Sequence, residues 1–231
     1  MFEISPAEWT AILLSLRVAV IATLVATPFG IALAWLLARR EFWGKSVVDA
    51  VVHLPLVLPP VVTGYLLLLT FGRRGLVGAW LADHIGIVFA FRWTGAALAC
   101  GVMSFPLLVR PIRLSIEAVD RRLEQAASTL GAAPWRVFAT VTLPLALPGI
   151  LAGMVLGFAK AIGEFGATIT FVSNIPGETQ TISSAIYALI STPAGDAAAM
   201  RLVLISIAIA FAALIGAEWF ARRATARLHG N

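Results

Sequence analysis

Two ionisable residues lie one helical turn apart inside a long apolar stretch, and they are the first place to look for chemistry. Lys160 and Glu164 follow the apolar run LPGILAGMVLGFA and precede the run FGATITFV. Ionised side chains are costly inside such a run, and those that occur usually pair with each other or mark the route of an ion. Two interpretations follow. The pair neutralises itself so that the helix can be inserted, or the Lys160 ammonium lies beside the path of an anion and Glu164 keeps it from trapping that anion.

A second apolar stretch contains three prolines, in the sequence LPLVLPPVVTG. Pro55, Pro59 and Pro60 each lack a backbone N–H, so they free carbonyl groups and bend a helix. Within a lipid bilayer such a break is tolerated only where protein or a water-filled cavity covers it. The prolines therefore indicate either a helix that lines a pathway or a kink needed only for packing.

Other residue types that carry catalysis are present, but they are not in catalytic arrangements. The three histidines are scattered, no H-E-x-x-H motif occurs, and no serine has a plausible base beside it. Gly44-Lys45-Ser46 looks like the end of a phosphate-binding loop, but the first glycine of that motif would stand at position 39, which is Arg39. We therefore expect a chain that is not an enzyme and that binds no metal, nucleotide or other cofactor directly.

The composition places these residues in a membrane. Of the 231 residues, 60% are hydrophobic and only 13% are charged, and the mean hydropathy is +0.93. A soluble domain of this length needs more charged surface than that. The net charge of +5 does not indicate nucleic acid binding, because the arginines cluster at the ends of apolar runs and form no continuous stripe with aromatic residues between them.

Five apolar runs are each long enough to cross about 30 Å of hydrocarbon as a helix. They are residues about 11–38, 47–71, 92–112, 145–171 and 200–220. Because backbone groups in lipid must be satisfied internally, we predict an all-α, polytopic membrane protein with one domain, residues 1–231. Basic residues favour the cytoplasmic side, and Arg39, Arg40 and Lys45 follow the first run. The N-terminus is thus predicted outside, and the segment 113–144 and the C-terminus in the cytoplasm.

Small residues recur at every fourth position of the fourth apolar run. They are Gly149, Gly153, Gly157 and Ala161. Such a stripe on one helix face lets a neighbouring helix approach closely. The neighbour is expected to be another helix of this chain or a helix of a second copy.

One segment between the third and fourth runs, LEQAASTLGAAPWRVFATVTLP, is more polar than its surroundings. Four of its apolar residues share one helix face: Leu123, Ala126, Ala127 and Leu130. Gly131 follows that face and can take the left-handed conformation that ends a helix. Pro134 suits the first turn of a new helix. The segment, residues 123–144, is therefore predicted to form a helix, a tight stop and a second helix.

The spacing within this segment resembles the EAA loop of ATP-binding cassette (ABC) importer permeases. The matching residues are Glu124, Ala126, Ala127, Gly131, Leu143 and Pro144. Val141 stands where the family often has Ile. The resemblance implies that this short coupling helix sits in a cleft of a separate ATPase subunit and passes the motion of that subunit to the membrane helices. An ordinary amphipathic helix-turn-helix is the alternative interpretation.

Three longer stretches resemble the permease subunit of molybdate ABC importers. They are HLPLVLPPVVTGYLLL from His53, LEQAASTLGAAPWRVFATVTLPLALPGILAG from Leu123 and AIGEFGATITFVSNIPGETQTISSAIY from Ala161. The resemblance implies a type I ABC importer permease fold in the cytoplasmic (inner) membrane. It also implies a homodimer of permeases, two ATPase subunits that use ATP and Mg, and an extracytoplasmic protein that delivers a tetrahedral oxyanion.

A dianion that crosses a bilayer needs a wetted route lined by hydrogen-bond donors. Four polar residues beyond Glu164 suit such a route: Thr168, Thr170, Ser173 and Asn174. Together with the three prolines and the Lys160–Glu164 pair, they are the predicted translocation path. Permeases for sulfate, thiosulfate or tungstate are alternatives of the same kind. An anion transporter driven by an ion gradient is the alternative of a different class, although no inverted repeat is apparent.

Overall fold

The structure, a computed structural model, describes residues 4–193 and 195–228, with side chains as far as residue 216. In these ranges the chain is helical and contains no strand. The last residues of the predicted fifth span, 217–220, lie beyond the described side chains. The elements are α1 (Pro6–Arg39), α2 (Lys45–Val57), α3 (Pro60–Phe71), α4 (Leu76–Ile85), α5 (Trp93–Ala118), α6 (Arg121–Thr129), α7 (Pro134–Val137), a π-helix (Phe138–Thr142), α8 (Leu143–Leu145), α9 (Leu147–Ile162), α10 (Gly166–Val172), α11 (Ile182–Ile190) and α12 (Asp196–Leu228).

Three helices are long and apolar enough to cross a membrane: α1, α5 and the Asp196–Gly216 part of α12. Two further candidates are bent pairs, α2 with α3 and the segment Pro134–Leu145 with α9. The described residues thus contain three spans, or up to five if each bent pair crosses once. The predicted fourth run, 145–171, is not one helix, because residues 163–165 separate α9 from α10.

The bend between α2 and α3 has a direct cause in the sequence. A residue that precedes proline is pushed out of the helical region, and Leu58 and Pro59 both precede one. Their ψ angles are 144° and 133°, so the chain is extended at both positions. Helix α3 then restarts with Pro60 in its first turn, where no N–H is needed. The axis turns by 115° at this point, whereas Pro55 is accommodated inside α2.

Helices α1, α5 and α9 pack together at the centre of the bundle, where Ala34, Ile112 and Ile150 share one apolar cluster. The stripe of small residues on α9 faces α5. A Cβ on Gly153 would lie only 2.6 Å from the carbonyl oxygen of Leu108, and one on Gly149 would overlap the side chain of Ser115. The neighbour of the stripe is therefore a helix of the same chain.

The short helix α11 ties the beginning of α1 to α12. Ile182 and Leu202 lie in one apolar cluster with residues of α1. The N–H of Ile182 donates to the hydroxyl of Ser15 at 2.7 Å. Nearby, the guanidinium of Arg201 donates to the carboxylate of Glu8 at 2.9 Å. The beginnings of α1 and α12 are thus held together by one ion pair and by α11.

Candidate functional site: a helix-stop-helix segment and two broken membrane helices

The segment that was predicted to form a helix, a stop and a second helix does so. Helix α6 begins after Asp120, whose side chain accepts from the N–H of Arg122 at 2.9 Å. It ends at Thr129, and Gly131, two residues later, has a φ of +85°. The N–H of Gly131 donates to Ser128 at 3.0 Å and that of Ala132 to Ala127 at 3.2 Å, so the carbonyls of the last turn are satisfied in the manner of a Schellman motif. Helix α7 then begins at Pro134, as predicted.

The apolar face of α6 is turned away from the rest of the chain. Leu130 is 89% exposed, Leu123 is 50% exposed, and Ala126 is exposed as well. Trp135, at the beginning of α7, is 69% exposed. None of the residues of α6 is buried. Large apolar groups that are exposed together mark a surface for another protein, here on a segment that is too polar to lie in lipid.

Glu124, which lies off the apolar face, connects α6 to the rest of the chain. Its Oε1 accepts from Nη2 of Arg39 at 3.0 Å and from the hydroxyl of Thr142 at 2.6 Å. The same nitrogen of Arg39 donates to the carbonyl of Val119 at 3.1 Å. Glu124 therefore connects the last turn of α1, the end of α5 and the π-helix, and it does not lie on the exposed apolar face.

The connection from α6 to α9 is irregular. The π-helix ends where the N–H of Leu143 donates to Phe138, five residues earlier. Pro144 follows, and because it has no N–H the helical ladder is interrupted there. The axis bends by 69° between Pro134–Leu145 and α9. Leu143 and Pro144, the last residues of the predicted motif, thus lie at a bend, and Leu143 packs against the cluster that α5 and α9 share.

The second group of predicted residues surrounds the break between α9 and α10. Nζ of Lys160 lies 2.6 Å from Oε2 of Glu164, so the predicted pair is formed. The other oxygen of Glu164 accepts from the N–H of Ala167 at 3.0 Å, in the first turn of α10. The side chain of Glu164 is 1% exposed and that of Lys160 is 29% exposed. Both oxygens of the Glu164 carboxylate are therefore hydrogen-bonded inside the protein, whereas the Lys160 side chain is partly exposed.

The two broken helices meet at their breaks. A Cβ on Gly166 would lie 2.7 Å from Cβ of Pro60. A Cβ on Gly64 would lie 2.5 Å from the carbonyl oxygen of Ala167 and 2.9 Å from Cβ of Thr170. Close approach of α3 and α10 thus requires glycine at both positions. The Pro59–Pro60 break and the break around Glu164 form one structural unit.

The four polar residues predicted beyond Glu164 differ in what they offer. The hydroxyl of Thr168 donates to Phe165 at 2.9 Å and that of Thr170 to Gly166 at 2.8 Å, so neither presents a free donor in this conformation. Ser173 has a φ of +65°, which is unusual for a residue other than glycine. Its carbonyl accepts from the hydroxyl of Thr179 at 3.2 Å. The buried side-chain oxygen of Asn174 has no hydrogen-bond partner among the described residues.

Comparison with known proteins assigns the chain to a family. Residues 26–226 match the family described as binding-protein-dependent transport system inner membrane component. The chain belongs to this family. It is 64% identical to the molybdenum transport system permease protein ModB of Escherichia coli K12, over 93% of this chain and 94% of the relative. It is 56% identical to ModB of Haemophilus influenzae, over 97% and 98% of the two chains.

More distant similarities extend these matches. A probable sulfate transport permease of Chlorokybus atmophyticus is 38% identical over 79% of this chain and 63% of the relative. Among solved structures, a bacterial alginate ABC transporter in complex with its alginate-bound periplasmic protein has a chain with a TM-score of 0.74. That likeness covers 95% of this chain and 80% of the other at 21% identity, so it concerns the fold alone. The predicted resemblance to molybdate permeases is confirmed, and the fold is that of ABC importer permeases.

Two residues of this permease were missed in the sequence. Arg39 was interpreted only as a marker of the cytoplasmic side, because its partner Glu124 lies 85 residues away. Thr63 follows the double proline, and its buried hydroxyl has no partner in the described part of the chain. Its position next to Gly64 in the sequence was the available indication that it lies on the closely packed face of α3. Among the described residues, no three His, Cys, Asp or Glu side chains come together as a metal site would require.

Proposed function

We propose that the chain is the membrane-spanning permease subunit of an ATP-driven importer that carries molybdate across the cytoplasmic (inner) membrane. The observation that carries the proposal is the 64% identity to a molybdenum transport permease over 93% of this chain and 94% of the relative. The fold shared with ABC importers and the well-formed coupling segment support it. The subunit itself is non-catalytic, and ATP with Mg is used by a separate ATPase.

In this proposal the chain spans the membrane five times. Helices α1, α5 and α12 each cross once, α2 with α3 crosses once, and the run 145–171, which contains α9 and α10, crosses once. The N-terminus lies outside, and the coupling segment and the C-terminus lie in the cytoplasm. Arg39, Arg40, Arg121 and Arg122 all lie at or near the coupling segment, which supports this orientation because basic residues favour the cytoplasmic side. Two copies of the permease form a homodimer and assemble with two ATPase subunits and an extracytoplasmic oxyanion-binding protein.

The apolar face of α6 is the surface that enters the cleft of the ATPase. Three exposed side chains, Leu123, Leu130 and Trp135, project from this short helical segment. Glu124 connects the segment to Arg39 of α1. A projecting apolar helix that docks into a groove is a common mode of protein recognition. Gly131 and Pro134 give the segment its compact shape, because they end one helix and begin the next within a few residues.

The translocation path runs along the unit that the two breaks form. Irregular backbone at membrane depth is tolerated where it is buried in protein or lines a water-filled cavity, and transporters use such broken helices to bind ions. Lys160 supplies a positive charge on a partly exposed side chain, and Glu164 balances that charge so that the anion is not trapped. Pro55, Pro59, Pro60, Ser173 and Asn174 complete the path. Thr168 and Thr170 belong to it as well, but their hydroxyls must leave the carbonyls that they contact in this conformation before they can donate to an anion.

The test is ATP hydrolysis by the permease–ATPase complex in proteoliposomes, with each oxyanion presented on the binding protein. We expect molybdate to stimulate hydrolysis and to be taken up. Stimulation by sulfate or thiosulfate alone would favour the alternative that the Chlorokybus relative suggests, and tungstate is compared in the same assay. Uptake by the permease alone, driven by an ion gradient, would contradict the proposal.

A pair of variants tests the docking surface in the same complex. Leu130→Asp places a charge on the apolar face, so we expect the permease to insert normally but to lose the ATPase during purification. Gln125→Glu adds the same charge to an exposed position outside that face and serves as the matched control. Equal retention of the ATPase by both variants would show that the face does not dock.

A further inference from the structure

The last turn of α1 contacts α6, the coupling helix, mainly through polar groups. An open recess of about 500 Å³ lies between the two, and Trp35, Gln125 and Phe138 are among the residues that line it. The contact that spans this region is the ion pair between Arg39 and Glu124 at 3.0 Å. The side chains of Arg39 and Glu124 are 9% and 19% exposed, so both charges have left most of the water and depend on each other.

The same two side chains reach the elements on either side of the coupling helix. Arg39 donates to the carbonyl of Val119, where α5 ends. Glu124 accepts from Thr142, which is buried in the π-helix that leads to α9. We call Arg39, Glu124 and Thr142 the clasp. Through the clasp, the Glu124 carboxylate on α6 is joined to α1, to α5 and to the π-helix that leads to α9. Helices α1, α5 and α9 are the three at the centre of the bundle.

We propose that Arg39 is a positioning residue for coupling: it holds α6 through Glu124, so that a displacement of α6 moves α1 and the π-helix with it. This rests on the proposed function, because the displacement comes from the ATPase. Glu124 then serves as an internal anchor of the coupling helix. Its carboxylate contacts α1 and the π-helix, whereas Leu130 is exposed, which fits that role.

The geometry predicts which substitution of Arg39 is tolerated. Both of the hydrogen bonds that it makes to described residues come from one nitrogen, Nη2, and its Nε has no partner among those residues. A lysine carries its donors on one nitrogen, so Arg39→Lys is able to preserve the ion pair and the contact with Val119. Arg39→Gln keeps a donor but removes the charge. The neighbouring Arg40, whose guanidinium lies 5.8 Å from the centre of the Trp35 ring, provides the control Arg40→Gln.

The first measurement is the amount of molybdate transported per ATP hydrolysed by the reconstituted complex. For Arg39→Gln and for Glu124→Gln we expect this ratio to fall about tenfold, as the loss of a charged hydrogen bond allows. The ATPase should remain bound. Arg39→Lys and Arg40→Gln should keep the ratio, and the double variant Arg39→Gln/Glu124→Gln should be no worse than either single variant. Loss of the ATPase from Glu124→Gln, with an unchanged ratio in Arg39→Gln, would overturn the proposal.

The second measurement needs no ATPase. Spin labels at Ser46→Cys and Ala126→Cys, both exposed positions, report the distance between the beginning of α2 and the coupling helix in the isolated permease. Cys100, the single native cysteine, is replaced by alanine. We expect Arg39→Gln to broaden the distance distribution and Arg39→Lys to leave it narrow. An unchanged distribution in Arg39→Gln would refute the clasp. Because no ATPase is present in this measurement, that result does not depend on whether the proposed function is correct.

Discussion

The coupling segment and the paired breaks in the membrane both interrupt helices with glycine, but for opposite reasons. A Cβ on Gly131 would meet no atom of the described residues within 4 Å, and it is the φ of +85° that demands glycine there. A Cβ on Gly64 would instead lie 2.5 Å from a backbone oxygen of α10. The coupling segment is thus shaped by backbone conformation and keeps its surface free, whereas the membrane break is shaped by close packing.

Each region also contains one carboxylate that accepts from a cation and from a neutral donor. Glu164 contacts Lys160 and Ala167, four residues before it and three after it, and it is buried. Glu124 contacts Arg39 and Thr142, which are 85 and 18 residues away, and it keeps some exposure. Glu164 therefore stabilises a local bend, while Glu124 joins separate helices. If α6 transmits movement, as we propose, it needs the second kind of contact.

The largest effect is expected from breaking the local ion pair of Lys160 with Glu164. Lys160→Met leaves the buried Glu164 carboxylate without its cation. Because Lys160 is 29% exposed, we expect a loss of about 3 kcal/mol, the low end of the range for buried pairs. Thermal unfolding of the purified permease measures this loss. The double variant Lys160→Met/Glu164→Gln should regain most of the stability, because glutamine still accepts from the N–H of Ala167.

Uptake by the double variant then separates the two interpretations of the pair. If Lys160 lies beside the anion, uptake should stay at least about tenfold below that of the unaltered permease, although the protein is stable and the ATPase is bound. Normal uptake by the stable double variant would mean that the pair only allows the helix to insert.

Added volume at the membrane break should come next. In Gly64→Ala the new methyl group meets the backbone of Ala167, which cannot move aside without shifting α10, so we expect a loss of about 1–3 kcal/mol. Gly101→Ala on α5 is the matched control, because its Cβ would approach nothing closer than 3.8 Å. A comparable loss of thermal stability in the two variants would show that the meeting of α3 and α10 is not tightly packed.

The sequence predicted the features of each region that depend on near neighbours. The stop at Gly131, the new helix at Pro134 and the pair of Lys160 with Glu164 all follow from residues within a few positions of each other. The extended residues before Pro59 and Pro60 have the same kind of cause. The break at 163–165 was missed because it contains no proline, and Glu164 was considered only as the partner of Lys160.

Contacts between distant parts of the chain were not predictable in this way. Nothing near Arg39 in the sequence distinguishes it from Arg40, yet only Arg39 contacts Glu124. The meeting of Gly64 with Ala167 depends on how two bent helices pack, and a single sequence does not contain that information. The hydroxyls of Thr168 and Thr170 were expected to face an anion, but a threonine in a helix can donate to a carbonyl of the preceding turn instead.

A smaller effect on stability, with a large one on coupling, is expected at Gly131. Gly131→Val forces a β-branched residue into the left-handed region at a cost of about 1–2 kcal/mol, so the stop should be lost while insertion is normal. We expect ATP hydrolysis without transport in the reconstituted complex. Gly131→Asn is the control, because asparagine tolerates a positive φ. Transport by the valine variant at the normal rate would show that the segment does not couple through this stop.

The smallest effects come from two threonines, one in each region, and they test the contrast between local and long-range contacts. The carbonyl that accepts from Thr168 belongs to Phe165, and it also accepts from the N–H of Ile169 at 2.9 Å, so Thr168→Val leaves no carbonyl without a partner. We expect a change within about 0.5 kcal/mol. Thr142→Val removes one of the two donors on Oε1 of Glu124 and should cost about 1 kcal/mol.

Thermal unfolding of the two threonine variants in one detergent compares them directly, and Thr142→Ser, which keeps the hydroxyl, controls for the altered side chain. The double variant Thr142→Val/Arg39→Gln decides whether the hydroxyl acts through the ion pair. Two donors to one carboxylate oxygen depend on each other, so the losses should not add. Additive losses would mean that Thr142 stabilises the π-helix by itself, and Glu124 would then join α6 to α1 and α5 but not to the approach to α9.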